Sequence, residues 1–63
     1  MPLVRIELFP GRTREQKSAA ALEITRVIAR TLNAAPQTTD VVFVEVEKSD
    51  WARDGKLLDE TEG

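Results

Sequence analysis

The sequence predicts an α+β protomer of two layers, a single β-α-β unit in which one helix covers one side of two parallel strands. Three stretches carry that prediction: an extended apolar segment over residues 2–9, a long run of helical periodicity from about Arg14, and a β-branched segment over residues 40–46. In the first, Pro2, Val4, Ile6 and Leu8 alternate with Leu3, Arg5, Glu7 and Phe9, which gives apolar character to both faces. Pro10-Gly11 breaks the strand. Thr13-Arg14-Glu15-Gln16 then has the Thr-x-x-Gln form in which a hydroxyl and a side-chain amide satisfy free backbone donors at a helix start. Ala20, Ala21, Ile24, Val27, Ile28 and Leu32 recur at helical spacing, Lys17, Glu23, Arg26 and Arg30 fall largely off that stripe, and the helix is expected to end near Asn33. Residues 34–39, with Pro36, read as a connection. Asp40 to Val46 reads as the second strand, reached by a right-handed crossover. Ser49 to Gly55 is a turn-rich stretch with the only Trp, Lys56-Leu57-Leu58 is a candidate short strand that closes a C-terminal hairpin or turn, and Asp59 to Gly63 is expected to fray.

A chain of 63 residues makes one domain, residues 1–63, and at this length folding buries only about 60% of the unfolded surface. Outside help is therefore expected. There is no Cys for a disulfide, and without Cys or His a structural zinc site is disfavoured. Two strands alone leave both sheet edges open and one face wet, so another protomer should extend the sheet and cover that face. Nine basic residues are scattered among eleven acidic ones for a net charge of −2, which disfavours nucleic acid as a partner. No P-loop or dinucleotide fingerprint is present, and no cofactor is expected. The sequence has no stretch of membrane-spanning length and no signal peptide, so a cytoplasmic location is expected.

The chemistry points to Pro2. With no His and no Cys, the usual carriers of neutral-pH proton transfer are missing. Removal of Met1 would turn the Pro2 nitrogen from an amide into a secondary amine on a rigid ring, a base with a fixed place at the head of a strand. Arg5, Glu7 and Glu45 read as cross-strand or interface partners, and the acids Glu45 and Glu47 on one strand face as structural.

Together these pieces resemble the small-subunit type of the 4-oxalocrotonate tautomerase family. The resemblance rests on Pro2 at the strand start, the Phe9-Pro10-Gly11-Arg12-Thr13 junction followed by Gln16-Lys17, the β-α-β order at this length, and the Asp50-Trp51 turn with Gly55 behind it. It implies that Met1 is removed, that two protomers pair into a dimer with a four-stranded sheet, and that dimers assemble as a trimer into a homohexamer. It also implies a cofactor-independent keto-enol tautomerase, an isomerase acting on a small carboxylate of the 2-hydroxy-dienoate or enolpyruvate type, in the setting of aromatic degradation. Pro2 is then the general base, which takes the enol proton and returns it to a distant carbon. Arg12 grips a substrate carboxylate from another subunit, and Trp51 supplies the dry wall. Desolvation and nearby positive charge must lower the affinity of the amine for its proton.

One position departs from the pattern. Where family members carry a second Arg at the start of the second strand, this chain has Asp40, which cannot stabilise a developing enolate. Arg53, in the Trp51 turn, is the candidate replacement cation. Without a replacement, weak activity on a dicarboxylate or a preference for a monoacid is expected. Two alternatives stand beside the tautomerase: a hydratase- or dehalogenase-like lyase that uses cationic Pro2 as an acid, and a non-catalytic or divergent oligomeric subunit.

Overall fold

Described here over residues 2–61, a computed structural model has strand β1 (Leu3–Leu8), helix α1 (Arg14–Leu32), strand β2 (Asp40–Glu45) and a hairpin of β3 (Ala52–Arg53) and β4 (Lys56–Leu57). Met1, Glu62 and Gly63 lie outside the described residues. β1 and β2 pair in parallel, with Leu3 opposite Asp40, Ile6 opposite Phe43 and Leu8 opposite Glu45. The expected β-α-β unit is present. Each strand is a little shorter than the alternation suggested, and the connection to β2 contains a 3-10 turn at Pro36–Thr38.

The helix starts where its capping residues dictate. The Gln16 backbone N–H donates to Thr13 Oγ1 at 3.1 Å, and the Thr13 backbone N–H donates to Gln16 Oε1 at 2.9 Å. Two donors with no intrahelical partner are thereby satisfied. Asn33 closes the helix in the left-handed conformation, with φ 54°, which Asn tolerates better than most residues. Thr13→Ala removes half of this arrangement and is expected to lower stability by about 1 kcal/mol; urea unfolding beside wild type checks it.

Val4, Ile6 and Leu8 are half-buried and alternate with exposed Leu3, Arg5 and Glu7. Ile6, Leu8 and Phe43 share a cavity with Lys17 and Ala20 of α1, so this is the face the helix covers. Lys17 corrects the reading from periodicity. It is half-buried, and its Nζ lies 2.7 Å from Glu45 Oε2, which ties the first turn of α1 to the end of β2. Glu45 thus serves a helix partner, while Arg5 Nε and Glu7 Oε2 pair with each other at 3.4 Å on the open face. Val27 and Leu32, placed on the stripe by spacing, are exposed.

The C-terminal segment is more ordered than its composition suggested. Asp54 and Gly55, at φ 55° and 78°, form the two-residue connection of the β3–β4 hairpin, and successive positive φ values are what a type I′ turn requires. Leu58–Thr61 forms a 3-10 turn where fraying was expected, and the Leu57 backbone N–H donates to Glu60 Oε2 at 3.2 Å.

None of the described residues is buried, and Leu3, Leu22 and Leu32 are each more than half exposed. The chain presents 5007 Å² to solvent, against ~4000 Å² for a free-standing globular protein of this mass. Its radius of gyration is 15.1 Å, against ~11 Å for a compact domain of this length. The chain is an open plate of 44 × 24 × 14 Å with large apolar side chains exposed. Among the described residues, no helix is long and apolar enough to cross a membrane.

Candidate active site

Pro2 stands at one end of the plate. Its carbonyl accepts the Asp40 backbone N–H at 2.9 Å, which fixes the residue at the start of the ladder and leaves its nitrogen just outside it. Pro2 is half-buried and, by alternation, belongs to the helix-covered face with Val4 and Ile6. Asp40 is exposed, and its register opposite Leu3 assigns its side chain to the other face. The backbones are neighbours, but the carboxylate and the Pro2 ring belong to opposite sides of the sheet.

Arg12 and Trp51 meet at the other end. Leu8, Phe9, Pro10, Arg12, Lys48 and Trp51 line a cavity of about 500 Å³ where β1 turns into α1. The Phe9 and Trp51 rings lie 4.5 Å apart between centroids and are tilted by 56°, inside the favourable range for aromatic pairs. Lys48 Nζ stands 5.8 Å from the Phe9 ring centroid, within cation–π reach. Trp51 is pinned by its backbone, whose carbonyl accepts the Leu58 N–H at 2.9 Å and whose N–H donates to the Lys48 carbonyl at 3.3 Å. The result is a cavity lined by an aromatic pair and two cationic side chains.

Two residues of this cavity were not singled out by the sequence reading. Phe9 counted only as part of a junction. Lys48 was overlooked; it joins Trp51 in the lining of this cavity through the 3-10 turn Lys48–Asp50, whose closing bond runs from the Trp51 N–H to the Lys48 carbonyl. Arg53 is not among the residues lining this cavity. It is exposed at the hairpin tip, in register with Lys56, another cation.

Leu8 lies six residue steps along the strand from Pro2, roughly 20 Å at the rise of a β-strand. A single protomer therefore does not bring Pro2 to Arg12 and Trp51. The proline, and the cavity with its cations and aromatic pair, thus lie at opposite ends of one strand.

A family model described as tautomerase enzyme matches residues 2–60. Among curated relatives, a probable tautomerase of Ralstonia nicotianae is 38% identical over 63 residues, covering 100% of this chain and 97% of its own. A probable tautomerase of Bacillus cereus is 41% identical over 59 residues, covering 92% and 95%. Among solved structures, YwhB, a homologue of 4-oxalocrotonate tautomerase, superposes with a TM-score of 0.92 at 31% identity, covering 97% of this chain and all of its own. A heterohexameric 4-oxalocrotonate tautomerase from Chloroflexus aurantiacus gives 0.88 at 26% identity, covering 98% and 100%. With the match running over nearly its full length, the chain belongs to the tautomerase family and is an isomerase of the tautomerase type.

Proposed function

We propose that the chain is a cofactor-independent keto-enol tautomerase of small unsaturated 2-hydroxy acids, with Pro2 as general base once Met1 is removed. The observation that carries this reading is the complementarity of the two half-sites: a strand-anchored proline at one end, and Arg12 beside the Phe9–Trp51 wall at the other. When a second protomer brings its Pro2 to this cavity, the guanidinium holds the substrate carboxylate through its planar fork. The rings exclude water from the amine. Desolvation and the adjacent positive charge both disfavour the ammonium, which leaves a lone pair available at neutral pH. The amine takes the proton of the 2-hydroxyl, the electron pair moves through the conjugated chain, and the same proton is returned to a distant carbon to give the conjugated ketone.

The assembly follows from the plate. Pairing two protomers edge to edge gives a four-stranded sheet, and stacking three such dimers covers the exposed Leu3 and Val42 face, so a homohexamer is the proposed form.

In a second reading, a carboxylate supplied by a neighbouring protomer keeps Pro2 cationic and the amine acts as an acid in hydration of an unsaturated acid; the Asp40 of the same protomer lies on the other face of the sheet. The two readings differ in sign with pH. A base works as the free amine, so its rate is lost as pH falls; an acid works as the ammonium, so its rate is lost as pH rises. Steady-state ketonisation of 2-hydroxymuconate and phenylenolpyruvate across pH, with intact mass to establish that Met1 is absent, tests the proposal. Activity lost on acidification supports it, and a chain without ketonisation on either acid refutes it.

A further inference from the structure

Lys48 stands out among the residues that the proposed chemistry does not use. Its ammonium is held over the Phe9 ring at 5.8 Å, and its side chain lines the same cavity as Arg12 and Trp51. The 3-10 turn of Lys48–Asp50 couples its position to Trp51. Asp40, at the head of β2, offers no positive charge, and Arg53 is outside the lining of this cavity. Within it, Arg12 and Lys48 are the two cations, with the tilted Phe9–Trp51 pair alongside.

We propose that Lys48 is the second carboxylate-binding residue, so that the cavity takes a planar, conjugated dicarboxylate, with one carboxylate on Arg12, the other on Lys48 and the unsaturated chain against Phe9 and Trp51. This rests on the proposed tautomerase reading and makes its substrate class specific. The cavity, at about 500 Å³, is within the usual size range for small-molecule sites. A lysine suits the distal carboxylate because its flexible stem and three donors adapt to an end that needs holding in place but not polarising. The same donors let it keep a protein partner and still meet a ligand oxygen; Glu47 and Asp59 line the far side of the Phe9–Lys48 ridge. On this assignment an efficiently bound dicarboxylate replaces the weak dicarboxylate activity or monoacid preference expected from Asp40 alone.

The test compares muconate with sorbate, two unreactive six-carbon dienoates that differ in the second carboxylate, by calorimetric titration of the assembled protein lacking Met1. Wild type is expected to prefer muconate by about tenfold, and Lys48→Met to bring that preference close to unity. Lys48→Gln, polar but uncharged, should behave as Lys48→Met. A wild type without preference, or one that survives either substitution, overturns the assignment, as does a cavity that binds neither acid. Because neither probe ketonises, this result is separate from the catalytic reading, which fails instead if wild type and Pro2→Ala ketonise 2-hydroxymuconate at equal rates.

Discussion

Replacing Pro2 by alanine is expected to lower kcat/KM for 2-hydroxymuconate ketonisation by about a hundredfold to ten-thousandfold, the range that a positioned general base supplies. The substitution does not remove the terminal amine. It replaces a secondary amine held in a ring by a primary amine that rotates and is more heavily hydrated, so its position is lost and its basicity altered. The backbone contact to Asp40 uses the carbonyl of residue 2 and survives, so sheet pairing should be retained and circular dichroism unchanged. Equal rates for wild type and variant, with Met1 absent from both, would remove the proline from the mechanism.

The second large effect is expected at Arg12. Arg12→Ala removes the fork that holds a carboxylate, and loss of about 2 to 4 kcal/mol of charge-assisted hydrogen bonding corresponds to roughly a thirtyfold to several-hundredfold fall in kcat/KM. The more telling measurement mixes the two inactive variants. If each site joins the Pro2 end of one protomer to the Arg12 end of its neighbour, a mixed pair contains one site with both lesions and one with neither. Random exchange then restores about a quarter of wild-type activity, because half of the pairs are mixed and half of their sites are intact. A site built within one protomer gives no recovery. The extended strand between Pro2 and Leu8 predicts recovery.

Much of this architecture is legible along the chain because the signals are local. Thr13 and Gln16 are three residues apart and satisfy each other's backbone donors, so the helix start was visible without knowledge of anything distant. The β-branched density of β2 and the break at Pro10-Gly11 are equally short-range. Lys17 was misplaced because a helical wheel treats charge as outward. A lysine stem packs along an apolar face when a carboxylate across the sheet meets its ammonium, and Glu45, 28 residues away, does so. The 3-10 turn at Leu58–Thr61 escaped notice because a polar tail has no periodicity, whereas a single side-chain bond from Glu60 to the Leu57 backbone orders it. The resemblance named Pro2, Arg12 and Trp51 as candidates and already put Arg12 on another subunit; the residues lining the cavity around Arg12 and Trp51 needed the fold. That Pro2 and Arg12 belong to opposite ends follows from an extended strand between them, and only three-dimensional placement shows that Lys48, not Arg53, shares the cavity.

The absence of any buried residue among those described has a consequence for how this protein lives in solution. A plate with no interior of its own has little to hold it folded when alone, so in the proposed assembly folding and association amount to one higher-order reaction governed by mass action. Its melting temperature should climb with protein concentration, and specific activity should collapse on dilution well before any bond in the site is altered. Substitutions at Leu3 or Val42, far from the proton chemistry, would then be felt as shifts in the dilution at which the enzyme ceases to exist.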